Sequence, residues 1–327
     1  MFKRLLVPLD RSELAEDALG QATAIARAAH AGVDVVLVHQ LLPFGAFGDA
    51  PWNAGQIDAE HKYVQSIADE LASGASVSAT QTVLTGSPAE MICRRAQEVE
   101  ADLIVMTSHG RTGLSRAWLG SVADGVLRQS SVPVLMLRPL ETATNRRAAK
   151  HLFKHILVPL DDSMLAQDIL ASASSLAACT GASVTLLRVV DPVPMILLAS
   201  ELPVAYPATV RDVEATEQVV ADAQKEIGRV AQQIRDESHA EIDAQVVVDS
   251  SAAHAIIEFA RTHEIDVIAM ATHGRGASRL LMGSVADKVV RGSGLPVLLH
   301  RPAAVAEQRA KLSETTVAEQ LPSLSHV

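Results

Sequence analysis

The sequence predicts an α/β protein built from two doubly wound, five-stranded parallel sheets in tandem. Three observations predict it. Short apolar runs rich in Val, Ile and Leu alternate with longer runs of helical periodicity. Almost every such run occurs twice along the 327 residues. Hydrophobic residues make up 48% of the chain but aromatics only 3%, so the core is aliphatic, which suits strands buried between two layers of helix.

The elements of the first half follow in order. "RLLVPL" from Arg4 is a short buried strand. The next run opens with Ser12 as N-cap, carries Glu13 and Glu16 in or near its first turns, repeats Leu14, Ala18, Ala22 and Ile25 at helical spacing, and is expected to stop at Gly32. "VDVVLVH" from Val33 is the second strand. A loop rich in Pro, Gly and aromatic residues, 42–55, leads to a helix expected over 56–71. "SVSATQTVL" alternates like a strand. A helix over 88–99, a strand over 102–106, a helix over 119–129 and a strand over 134–137 complete the set. Right-handed crossovers leave few topologies, and the order 3-2-1-4-5 is expected. It opens a crevice at the carboxyl ends of strands 1 and 4, where the order reverses.

The second half repeats this plan. "FKRLLVPLDRSELAEDAL" from Phe2 matches "FKHILVPLDDSMLAQDIL" from Phe153, and "VDVVLVHQ" from Val33 is set against "SVTLLRVV" from Ser183. "ADLIVMTSHG" from Ala101 matches "IDVIAMATHG" from Ile265, and "VPVLMLRP" from Val132 matches "LPVLLHRP" from Leu295. The expected organisation is a first domain over 1–140, a polar linker over 141–150, a second domain over 151–303 and a polar tail over 304–327. The apolar strands "PVLMLRP" and "PVLLHRP" would lie at sheet edges, so the two halves are expected to pair through them as an intrachain pseudo-dimer, with further homodimerisation open.

Composition narrows the function. The net charge of −10 disfavours a nucleic-acid or anionic-membrane surface. Residues 1–150 hold 14 basic and 16 acidic side chains, a net of −2; residues 151–327 hold 14 and 22, a net of −8. Cys93 and Cys179 stand apart from each other and from any Cys/His cluster, which argues against a disulfide framework or a zinc site. No apolar run approaches the roughly 20 residues of a membrane span, and the start "MFKRLLVPLD" does not read as a signal peptide. A cytoplasmic location is expected.

The chemistry gathers at the expected crevice. Asp10 ends strand 1, and Thr107, Ser108, His109 and Gly110 end strand 4; Asp161 and the run Ala271, Thr272, His273, Gly274 are their counterparts. Gly110 permits close backbone approach to a ligand. Gly120 and Ser121 open a helix, whose free N–H groups and dipole suit a phosphate. Asp10 suits ribose hydroxyls or water around a metal. These are parts of a nucleotide site. The alternative is that Gly110 only shapes a turn and Ser121 only caps a helix.

"LVPLD", "HGRTGLSRAWLGSVADGVL" and "PVLMLRP", with their second-half copies, resemble the universal stress protein family in its tandem two-domain form, within the wider adenine nucleotide α-hydrolase-like class. Nucleotide-binding members carry Gly-x2-Gly-x9-Gly-(Ser/Thr). Here Gly110, Gly120 and Ser121 match, with Thr107 in place of the first Gly. In the second half Gly274, Gly283 and Ser284 match, with Ala271 in place of the first Gly and only eight residues between the two glycines. The resemblance implies that Pro8, Asp10 and Asp161 line the ribose and phosphates. It implies that backbone groups of Gln40 and Val189 meet the base, and that those of Val122 and Val285 meet the phosphates. It further implies ATP, with or without Mg, as the ligand.

Other residues point less far. No nucleophile with a partner acid is spaced to use His109 or His273, so a turn role is expected. Arg111, Arg116, Arg275 and Arg279 suit phosphate or solvent equally. Asp124 and Asp287 are explained by the helix dipole. No P-loop lysine is present, so vigorous ATP hydrolysis is not expected. The expected function is that of a stress-response protein that binds ATP or a related adenine nucleotide and senses or signals, with an unidentified protein partner. The rivals are a nucleotide-free interaction regulator of the same fold and a slow ATPase.

Overall fold

A computed structural model describes residues 1–40, 50–108, 119–138, 151–161, 163–194, 212–238, 241–272 and 282–301. The expected linker and tail, and the loops holding His109, Gly110, Arg111, Arg116, His273, Gly274, Arg275 and Arg279, lie outside them.

The first half runs β1 (Arg4–Leu9), α1 (Glu13–Ala29), β2 (Gly32–His39), α2 (Ala50–Gly74), β3 (Ala79–Thr85), α3 (Pro88–Glu98), β4 (Leu103–Thr107), α4 (Ser121–Gln129) and β5 (Val134–Leu137). The second runs β6 (His155–Pro159), α5 (Met164–Thr180), β7 (Ser183–Val190), α6 (Val213–Ser238), β8 (Ile242–Val248), α7 (Ala252–Thr262), β9 (Val267–Ala271), α8 (Ser284–Gly292) and β10 (Val297–His300). The strands form one sheet in the order β3-β2-β1-β4-β5-β10-β9-β6-β7-β8. Each half therefore has the expected 3-2-1-4-5 order, parallel throughout. At the seam β5 and β10 pair antiparallel, with Leu135 opposite Leu298. Pairing removes two apolar edges that would otherwise invite association. It also makes the halves antiparallel, so their crevices open at opposite ends of the sheet.

Alternation along each strand divides the core into two layers. On one face Leu5, Val7, Val35 and Leu37 pack with Leu19 and Ile25 of α1 and Ile67 of α2. On the other Leu6, Val36 and Ile104 pack with Ile92 of α3 and Val126 of α4. Both layers continue across the seam, through Leu298 on the first face and Leu299 with Val289 of α8 on the second. Each such fully buried aliphatic side chain contributes about 1.5–3 kcal/mol, so the seam is core. In the second layer α3 meets α4 so closely that a Cβ at Gly125 would stand 2.7 Å from the Ala89 Cβ.

Some boundaries differ from expectation. Ser12 caps α1 as expected, its Oγ accepting from the Ala15 N–H at 3.1 Å. The helix stops at His30 rather than Gly32: His30 adopts φ 53° and its N–H returns to the Ala26 and Arg27 carbonyls. Gly32 instead begins β2. Helix α2 spans 25 residues, longer than expected on both sides. Helix α4 begins at Ser121, because Gly120 is its N-cap and Leu119 belongs to the buried core before it.

The register also corrects one alignment. Leu5 pairs with Val33 and its counterpart Ile156 with Val184, so Val33 corresponds to Val184 and not to Ser183. Gln40, the residue after β2, thus corresponds to Asp191. Val189 lies inside β7, opposite Val247 and one residue before the strand's end. Gln40 and Val189 are not equivalent positions, and the second-half counterpart of Gln40 was missed.

Candidate functional site

The β1–α1 turn forms one wall of the first crevice. Pro8 is buried within β1, and the chain leaves the strand at Asp10. The Asp10 Oδ1 accepts from the Ser12 N–H at 3.0 Å and from the Ser12 hydroxyl at 2.6 Å. This bracing accompanies a left-handed Arg11, φ 67°. Asp10 is half-buried, so its carboxylate is fixed at the crevice rim.

The opposite wall is the end of β4 and the start of α4. Thr107 and Ser108 are buried. The Ser108 N–H donates to the Leu137 carbonyl at 2.9 Å, and the Ser108 carbonyl accepts from the Gly120 N–H at 2.8 Å. These bonds deliver both ends of the loop to one place at the carboxyl end of the sheet. The N-cap Gly120 has φ −61° and ψ 149° and no side chain to cap the helix. The first amide to bond back within the helix is that of Asp124, to the Gly120 carbonyl at 2.9 Å. The amides of Ser121, Val122 and Ala123 precede it, as first-turn amides do. Ser121 is exposed and Val122 half-buried against the core. The Asp124 carboxylate is drawn along the helix to Arg128, at 2.7 and 3.0 Å.

The second crevice repeats each of these bonds. Asp161 accepts from the Ser163 N–H at 2.9 Å and from its hydroxyl. Thr272 N–H donates to the His300 carbonyl at 2.8 Å, and Gly283 N–H to the Thr272 carbonyl at 2.7 Å. Gly283 caps α8 without a side chain, and Asp287 N–H returns to its carbonyl at 2.9 Å. Ser284 is exposed, Val285 half-buried, and Asp287 pairs with Arg291 at 2.8 Å. The structure thus brings Asp10 and Gly120, and likewise Asp161 and Gly283, to the switch points of their halves.

Each crevice offers amide donors and a hydroxyl at a helix start and a braced carboxylate across from them, a set suited to a phosphorylated, hydroxyl-bearing ligand. Among the described residues no group of three or more His, Cys, Asp or Glu could hold a metal ion. Cys93 and Cys179 are buried, and burial pushes each thiol up to about 11, so neither is a thiolate nucleophile at neutral pH. Among the described residues no helix is long and apolar enough to cross a membrane.

Sequence reasoning missed two features near the crevices. His39, the last residue of β2, is buried and its Nδ1 lies 2.9 Å from Glu60 of α2, also buried. Arg138 and Arg301, which follow the seam strands, reach across to the other half's helices. The signal for the second lies in the sequence: each seam strand is followed by Arg-Pro.

A family model described as the universal stress protein family matches residues 1–138 and again residues 152–301. The universal stress protein MJ0531 of Methanocaldococcus jannaschii is 31% identical over 141 residues, covering 42% of this chain and 83% of that protein. Among solved structures, a universal stress protein from Archaeoglobus fulgidus superposes with a TM-score of 0.65 at 20% identity, covering 91% of this chain and 98% of the other. A putative universal stress protein from Pseudomonas aeruginosa gives 0.61 at 16% identity, covering 96% and 98%. These two share the fold over both halves.

Proposed function

The chain belongs to the universal stress protein family, and from that premise we propose that it binds ATP or a related adenine nucleotide at the first crevice more tightly than at the second. One observation carries the reading: α4 begins at a side-chain-free N-cap, Gly120, held by Ser108 beside the braced Asp10. Phosphate would be held by the first-turn amides with the Ser121 hydroxyl, and the ribose by Asp10. Gly110, separated from Gly120 by nine residues, would allow close approach. Thr107 and Gln40 would complete the walls. In the second half Asp161, Gly274, Gly283, Ser284 and Val285 would serve in the same way across a loop one residue shorter. A nucleotide with Mg2+ would bring its own cation.

The protein would act in the cytoplasm as a sensor or regulator in stress adaptation, passing its state to a partner protein. Catalysis is the weaker reading, since no P-loop lysine stands by to stabilise phosphoryl transfer. Native mass spectrometry of the purified protein, followed by calorimetric titration with Mg·ATP, tests the proposal. One or two nucleotides per chain, or a saturable heat, supports it. A nucleotide-free mass and no heat would replace it with the interaction protein of the same fold.

A further inference from the structure

The arginine that follows each seam strand is committed to the other half. Arg138, after β5, donates from Nη2 to the Val290 carbonyl at 2.9 Å and to the Arg291 carbonyl, at the end of α8. Arg301, after β10, is buried and donates from Nη1 to the Arg128 carbonyl at 2.6 Å, at the end of α4. Each arginine is also bonded, through its neighbour, to the start of its own half's helix. The Leu137 carbonyl accepts from Ser108, whose carbonyl accepts from Gly120; the His300 carbonyl accepts from Thr272, whose carbonyl accepts from Gly283. Arg301 therefore ties the end of α4 to the start of α8, and Arg138 ties the end of α8 to the start of α4.

We propose that Arg301 and Arg138 are positioning residues for the two crevices, each fixing from the opposite half the helix whose N-terminus faces the ligand. Neither crevice is then complete within its own half, and the two are coupled. This rests on the nucleotide reading above for its functional meaning, though not for its geometry.

The physical case begins with length. Helices α4 and α8 have nine residues each, well under the roughly 12–15 at which an isolated helix becomes even marginal. Neither has a side-chain cap at its start. Their placement must come from packing and from their ends. The last carbonyls of a helix are orphan acceptors at the negative end of its dipole, and a guanidinium supplies both donors and charge. Arg138 holds its place although burial, and then the nearby Arg291, lower its pKa. The α8 carbonyls are among the groups that make that place favourable. Asp287, in the first turn of α8, acts on Arg128 in the last turn of α4 and raises its pKa after Asp124 has done so. The end of one helix and the start of the other are thus electrostatic neighbours.

Hydrogen exchange and Mg·ATP titration on R301A, R301K, R138A and R138K test this. R301A should speed exchange selectively in 121–129 over 284–292, and R138A the reverse. R301A should also weaken the tighter ATP site about 5- to 10-fold, the scale of losing a charged helix-end contact. R301K should recover at least half of that loss, since the charge returns at the same place. Equal loosening of both helices, or of neither, would overturn the inference. So would weaker ATP binding with α4 exchange unchanged. If the wild-type protein binds no ATP yet R301A selectively loosens α4, the cross-capping stands and only the nucleotide reading falls.

Discussion

The two halves share a backbone plan and differ in how they bury polarity. In the first half Asp34 is fully buried in β2; it accepts from Arg95 Nε at 3.0 Å and Nη2 at 2.9 Å, and from the Thr80 hydroxyl at 2.6 Å. The register puts Thr185 at that position in β7, where its hydroxyl meets His155 Nε2 at 2.8 Å. Eight residues on from Ser87 and Ser251, the N-cap positions of α3 and α7, Arg95 corresponds to Phe259, which stacks on His263 at 3.8 Å. The two positions that hold an ion pair in the first half hold Thr185 and Phe259 in the second.

The same holds beside the crevices. The inner face of α2 presents Gln56, Glu60 and Tyr63 to Arg11, His39 and Glu16. In the second half Val190 stands for His39, and Ala223, one turn before the buried Ile227, stands for Glu60. Toward its start α6 then borders an open apolar groove of about 430 Å3, lined by Val213, Thr216, Val220 and Val248 among others. At the strand ends Asp10, Gln40 and Gly86 of the first half correspond to Asp161, Asp191 and Asp249 of the second. On the nucleotide reading proposed above, two further carboxylates at the second set would make it the less favourable host for a polyphosphate, although His254 lies 3.0 Å from Asp249.

The sharpest way to break this comparison is at Asp34. Arg95→Ala leaves a buried carboxylate without its cation and should cost about 3–5 kcal/mol. D34T/R95F, which imports the second half's residues, should recover most of that, because the buried charge goes with its partner. Urea midpoints of the two variants decide it. A double variant as unstable as Arg95→Ala would mean the halves are not interchangeable even locally.

Next in size is the ranking of the two crevices. Asp10→Ala or Gly120→Val should lower Mg·ATP affinity about tenfold or more, roughly 1.4 kcal/mol. Asp161→Ala or Gly283→Val should change it about threefold or less. Calorimetry on the four proteins reads this directly. Equal losses would erase the functional difference between the halves, and a loss confined to the second-half variants would reverse it.

The fold was legible because its signals are local and doubled. Strand runs, the Ser12 cap and the apolar seam strands can be read from neighbours in sequence. Gly120 could be placed at a helix start for the same reason. What escaped depends on residues far apart. Asp34 inside an apolar run announces a missing partner, but Arg95 is 61 residues away. His39 and Glu60 belong to different elements, and the cross-capping arginines join residues more than 150 positions apart. Val189 was misplaced because similar letters in β2 and β7 hide a register that only pairing with β1 and β6 fixes. His30 replaced Gly32 as the stop because one non-glycine residue in the left-handed region suffices to end a helix.

The smallest expected difference lies at the seam itself. His300 ends β10 where Leu137 ends β5, and its Nδ1 lies 3.1 Å from the Ser172 hydroxyl on α5. Burial lowers the His300 pKa below its ordinary 6.5, opposed in part by Asp168. The folded protein therefore takes up this proton less readily than the unfolded chain. The stabilisation is fully present above the unfolded value and is lost as the pH falls from there through the folded one. The side chain is only partly buried, so solvent screening keeps the effect small. His300→Leu, which imports the first half's residue, removes this titration and leaves the other histidines in place. Between pH 7 and pH 5 the wild-type melting temperature should fall further than that of the variant, by about 2 °C or less. Parallel pH profiles would show that the seam does not register the proton, and that His300 and Leu137 differ in chemistry but not in consequence.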